Sequence, residues 1–148
     1  MKLAYAVLFL AAAAMPAVAQ DFSDTVNFDA TLETLGEPGA MEALAKDGRV
    51  LILEGLLGDT MVVGSGDERV ARAQLIGGAW IGTDKVVAYR CWVVLKGESW
   101  AEAFPAERPR DPGPGYLPAN SRLLVACRPI VSDSDIPEVE AIAVRRLD

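Results

Sequence analysis

Two cysteines, Cys91 and Cys127, in a chain without histidine set the limits on chemistry. Without histidine, neither a Ser-His-Asp nor a Cys-His nucleophile set can be assembled. The wide spacing of the cysteines argues against a redox dithiol, which favours C-x-x-C, and a structural zinc site wants four ligands. The other chemistry-bearing side chains are carboxylates. Glu54, Asp59, Asp67 and Glu68 could supply the acid pair of a glycan-cleaving hydrolase, which requires two carboxyl groups about 5–10 Å apart. Asp133, Asp135, Glu138 and Glu140 in SDSDIPEVE offer oxygens to a hard cation, but a calcium loop also needs fixed positions and a glycine for its sharp turn. Turn formation by Asp and Ser explains that stretch. GSGD at 64–67 lacks the strand–serine–helix context of a nucleophile elbow and reads as a hairpin turn. The sequence therefore predicts no catalytic set, no metal site and no cofactor.

Each cysteine sits inside an apolar, strand-like run, AYRCWVVL and RLLVACRPIV. The chain begins MKLAYAVLFLAAAAMPAVAQ, with a basic Lys2, an apolar stretch and an A-x-A motif at 17–19. That pattern is a secretory signal peptide over residues 1–19. It predicts a periplasmic or secreted protein, with no membrane insertion after cleavage because no later apolar stretch is long enough to span. In an oxidising compartment two cysteines pair. A Cys91–Cys127 disulfide would stabilise the fold by roughly 3–4 kcal/mol on the chain-entropy account. The formal net charge of −7 repels phosphate backbones, since non-specific affinity for them comes from Lys and Arg. The expectation is no nucleic-acid partner.

The elements that would position these residues are mostly strands. Residues 20–37 read as an N-terminal strap with isolated Phe22, Val26, Phe28 and Leu32. A short helix is expected over 38–47, opened by Pro38 and closed by Gly48, with Met41, Leu44 and Ala45 along one stripe. From Arg49 the pattern turns to β: RVLILEGLL and DTMVV divided by Gly58, then RVARAQLI, AWI and KVVAYRCWVVL, separated by Gly- and Asp-bearing turns. In RVARAQLI, Ala71, Ala73 and Leu75 share one face, with Val70, Arg72, Gln74 and Ile76 on the other. Val87, Tyr89, Cys91, Val93 and Leu95 form an inward face, as do Leu123, Val125, Cys127 and Val131, so the bridge would cross the interior and staple both ends of the segment between. The opposite face, Val86, Ala88, Arg90, Trp92 and Val94, is also largely apolar and calls for a cover. Candidates are the 38–47 helix, the proline-rich loop or another protein.

The fold class expected is mainly β: a small antiparallel barrel, OB-like, with one short helix before the first barrel strand and a long Pro-rich loop. Signal peptide (1–19), strap (20–37) and a single β-rich domain (38–148) make up the chain. The stretch GDTMVVGSGDERVARAQLIGGAW resembles the opening barrel strands of the staphylococcal-nuclease-like OB-folds. Asp59 and Thr60 match a G-D-T turn, and Leu75-Ile76-Gly77 matches the second strand. The position of that family's catalytic arginine holds Gln74, and its second metal-binding aspartate falls in Gly78-Ala79. The resemblance implies a barrel without the nuclease site.

Lys96 to Ser121 carries Pro105, Pro109, Pro112, Pro114 and Pro118, which central strand positions exclude. Trp100, Phe104, Arg108, Arg110 and Tyr116, with Trp92, are of the types that dominate protein interfaces. They are the expected partner-binding residues; the same aromatics could instead fold back and fill gaps. The function expected from all this is a non-enzymatic accessory or binding module docking on another envelope protein. The alternatives are the carboxylate-based hydrolase and a small-molecule binder in the barrel interior.

Overall fold

The computed structural model describes residues 22–147, so the signal-peptide reading of residues 1–19 lies outside the described residues. Strand β1 (Val26–Asn27) is followed by α1 (Leu32–Leu35) and α2 (Ala40–Asp47), and then by five long strands. These are β2 (Val50–Val63), β3 (Val70–Ile81), β4 (Lys85–Lys96), β5 (Arg122–Ile130) and β6 (Glu138–Leu147). Their order, β2-β3-β4-β6-β5 with β5 returning to β2, closes a five-stranded barrel. Within the barrel every junction is antiparallel except β4–β6, a short parallel pairing that matches Trp92 with Glu138; β1 adds a two-residue parallel pairing on β2.

Period-two alternation fills the interior. Leu51, Leu53, Leu57, Ala71, Ala73, Leu75, Cys91, Val93, Leu95, Leu123, Val125, Cys127 and Val139 are all buried there. The expected inward faces of β4 and β5 are thus the observed ones over their central residues, and on β3 the face of Ala71, Ala73 and Leu75 is the one that turns inward. Val131 is the exception: it lies beyond the end of β5 and is exposed. Among the described residues, a void of about 10 Å³ lies between Phe104, Leu57, Ala73 and Val125, about the size of one water at most. It gives a small molecule no room.

Gly58 does not divide two strands. The chain runs as one strand from Val50 to Val63, with a register shift between Leu57 and Thr60. A Cβ at Gly58 would meet Ile76 Cδ1 at 2.6 Å, so glycine lets β2 bend across β3 at this bulge. The Gly58-Asp59-Thr60 segment is accordingly a bulge and not a turn.

Both ends of the barrel are plugged by chain outside it. Thr31 caps α1 through a reciprocal box with Thr34, and the helix drives Leu32 and Leu35 into the core. Gly77 makes room for this plug: a Cβ there would lie 2.9 Å from Leu32 Cδ1. Gly77→Val is expected to unseat α1 and cost about 1–3 kcal/mol, read as a lower urea midpoint. The α2 helix spans Ala40–Asp47 between Gly39 and Gly48 and places Met41 and Leu44 against the core. Its contacts are with β5, so it does not cover the outer face of β4.

At the other end the 97–121 segment turns inward at Phe104, which is 2% exposed. Trp100 packs at 6.5 Å from its ring. The guanidinium of Arg69, itself buried, donates to the Phe104 carbonyl oxygen, and among the described residues Arg69 Nη1 is the one buried side-chain nitrogen or oxygen without a partner. Leu117 N–H donates to Ala103 O, closing the loop on itself.

The expected disulfide is not there. Cys91 and Cys127 are buried free thiols. They sit on β4 and β5, which β6 separates. Two interstrand spacings set Cα atoms about 9–10 Å apart along a sheet, whereas a disulfide spans roughly 4.4–6.8 Å. The proline-rich loop is pinned by Phe104 and Arg69, and not by a bridge between the sulfurs.

Candidate nucleic-acid interface

Sequence reasoning left one apolar face without a cover, and the structure shows how much of it stays open. On β3 the outward residues are Arg72, Gln74, Ile76, Gly78 and Trp80; facing them on β4 are Val94, Trp92, Arg90, Ala88 and Val86. The end of this double row near Val94 is closed, with Val94 buried and Arg72 lying over the Trp92 ring. The other end is open. Trp80 is 71% exposed and Val86, its cross-strand partner, 52%. Neither α2 nor the proline-rich loop reaches them.

Between these ends runs a shallow groove of about 490 Å³. Gly77, Gly78 and Ala88 are among its linings and leave it without bulk, while Leu56, Ile76 and Val86 give it apolar sides. Glu54 and Arg122 form an ion pair at its edge, with Arg122 Nε donating to Glu54 Oε1 at 2.7 Å. Exposed Arg90 lies on β4 in the same outward row, and its side chain has no hydrogen-bond or ion-pair partner among the described residues. The face therefore joins an exposed indole and a flat apolar floor to uncompensated positive charge.

Barrel closure in the order first-second-third-fifth-fourth-first is the order of the OB fold. The chain folds as an OB-type barrel. No family model matches its sequence, and the search of characterised proteins found no match. Among solved structures it is similar to the small single-stranded DNA-binding protein from Streptomyces coelicolor: TM-score 0.49, 15% identity, covering 66% of this chain and 89% of that one. It is also similar to the Plasmodium falciparum SSB in complex with ssDNA, at TM-score 0.40 and 19% identity, covering 67% of this chain and 94% of that one. A Leishmania major Friedlin protein described as an aspartyl-tRNA synthetase aligns at TM-score 0.43 and 14% identity, over 89% of this chain but 22% of that one.

The likeness is one of fold. Two of these neighbours are described as single-stranded DNA-binding proteins. Beside them, three expectations drawn from sequence stand corrected, because none finds support there: the accessory module docking on another envelope protein, the absence of a nucleic-acid partner, and the periplasmic or secreted placement. The charge argument has a physical limit. A net charge of −7 averages the whole surface, whereas a strand of nucleic acid meets only the charges within about a Debye length of its path.

The other sequence candidates are dispersed. Trp92 belongs to the outer face, partly covered. Phe104 is a core plug and Trp100 packs behind it, which is the gap-filling alternative. Arg108 and Tyr116 line a separate pocket of about 450 Å³ against Leu57 and Thr60, and Arg110 lies with them beyond it. The candidate carboxylates do not converge on one cleft: Glu54 pairs with Arg122, Asp59 is exposed at the bulge, and Asp67 and Glu68 lie in the 3₁₀ turn at 66–68. Trp80 went unnoticed in the sequence. Its signal was there: an aromatic at an outward register position beside a Gly-Thr-Asp turn.

Proposed function

We propose that this barrel binds single-stranded nucleic acid along the outer face of β3 and β4, with Trp80 as a base-stacking platform. The observation that carries the reading is the solvent-exposed Trp80 indole on the second barrel strand, on the face that OB barrels use for oligonucleotides. Every base offers a π-face, so stacking on an indole contributes about 1–3 kcal/mol per base without selecting sequence. The groove of Gly77, Gly78 and Ala88 admits a flat ring beside it, and Arg90 meets a phosphate. The reading rests on this face and not on the likeness of fold.

An acidic protein that engages few phosphates binds weakly and with a shallow salt dependence. One such contact gives a slope of about −0.7 in log K against log salt for a single strand. Fluorescence titration with an oligothymidylate of about ten nucleotides, inside the roughly 4–16 that one such barrel covers, tests the proposal. Trp80→Ala is expected to weaken binding by about five- to a hundredfold, and Arg90→Gln to flatten the salt slope by about 0.7. Binding unchanged in Trp80→Ala, or absent from the wild type at low salt, overturns the reading.

A further inference from the structure

Trp80 is not the only indole on this face. Trp92 lies six residues along β4 from the Trp80–Val86 pair and points the same way, a separation of about 20 Å at the rise of a strand. It differs in being roofed. Arg72, on β3, extends its guanidinium over the Trp92 ring, with Cζ 5.4 Å from the centroid. The same guanidinium then pairs with Glu138 on β6. Since β6 is the other neighbour of β4 and Glu138 stands directly opposite Trp92, the arginine spans from one flanking strand to the other across the indole. Glu138 is the more sheltered partner, 15% exposed against 35% for Arg72.

We infer that Glu138 holds Arg72 as a removable cover over Trp92, closing a second base-stacking position on the face that Trp80 opens. This rests on the nucleic-acid reading for its ligand, but the cover itself is a property of the free protein. Cation–π contact alone contributes only about 0.5–1 kcal/mol at an exposed site. The carboxylate anchors the guanidinium, and without it the side chain of Arg72 is free to leave the ring. With the cover in place a strand gains one stacking contact; with it displaced, a strand long enough to reach from Trp80 gains a second. The cover therefore sets a length preference.

Two measurements on Glu138→Gln decide the matter. In the ligand-free protein carrying W80F and W100F, so that Trp92 is the one indole, E138Q is expected to raise acrylamide quenching severalfold. An unchanged quenching constant overturns the cover whatever oligonucleotides do. In otherwise wild-type protein, E138Q is expected to tighten binding of an oligothymidylate of about ten nucleotides by at least about fivefold, and leave one of about three nucleotides unchanged. The gain should persist in high salt and vanish in E138Q/W92L. Removing a negative charge would by itself help both lengths and fade with salt, so an equal gain at both lengths, or none at either, overturns the inference. Wild-type protein that binds neither length, while Trp92 becomes quenchable in E138Q, removes the nucleic-acid reading and leaves the cover standing.

Discussion

Phe104→Ala is expected to lower the free energy of unfolding by about 3–5 kcal/mol, the usual cost of emptying an aromatic site in a core. Phe104 comes from no strand. It is delivered by a loop, yet it is 2% exposed and closes the barrel against Leu57, Ala73, Val93 and Leu123. Truncation leaves a void that the closed sheet cannot collapse into, because its hydrogen-bonded strands fix the barrel radius. It also releases the loop, whose other ties to the barrel include the Arg69 guanidinium on the Phe104 carbonyl and Asn120 N–H on Leu57 O. Urea denaturation should show the lower midpoint, and limited trypsin digestion should show faster cutting after Arg110, which Asp111 follows, while the barrel remains folded. Phe104→Leu, which keeps most of the apolar volume, should show a smaller version of both effects. A midpoint unmoved in Phe104→Ala would mean that the loop, and not its aromatic, closes the barrel.

The role of Phe104 also shows where sequence reading reaches its end. Alternation placed Ala71, Ala73 and Leu75 on one shared face and Cys91, Val93 and Leu95 on an inward one, because in a strand the side-chain period is two whatever its neighbours. The α2 helix followed from Gly48 and the Met41–Leu44 stripe for an equally local reason. What alternation cannot give is which strand lies beside which. Cys91 and Cys127 share the interior, as their phases demand, but β6 from the far end of the chain inserts between their strands. A bridge inferred from phase alone was therefore misplaced. The outer face was legible as apolar from Val86, Ala88 and Val94. Its division into a closed end and an open one was not, because Arg72 and Glu138 are 66 residues apart and meet only through barrel closure. Net charge is limited in the same manner: a sum over the chain carries no information about where Arg90 points.

Between pH 8 and pH 11 the protein is expected to lose stability steeply, and the two free thiols are the reason. Burial pushes Cys127 up to about 12 from an ordinary 9.0. Burial raises Cys91 further, with the neighbouring Cys127 thiol adding to the effect. In the unfolded chain both thiols ionise near their ordinary value; in the folded barrel both stay protonated well above it. The unfolded state then holds fewer protons than the native state, so stability falls as pH rises. The contribution is whole below the unfolded value and is withdrawn as pH climbs from there towards about 12, where Cys127 ionises in the folded state as well. Within that window each thiol withdraws up to about 1.4 kcal/mol per pH unit. Urea midpoints measured at intervals from pH 8 to pH 11 should decline with twice the slope of one group. In Cys127→Ala the slope should be about halved, and in the double variant with Cys91→Ala the decline from thiols should be gone, even though each truncation lowers the midpoint at neutral pH. A thiol reagent offers the kinetic counterpart: both sulfurs should react only as fast as the barrel opens, and denaturant should expose two reactive groups at once. An intact slope in the double variant would assign the alkaline loss to other groups and show that the thiols are not held protonated by the core.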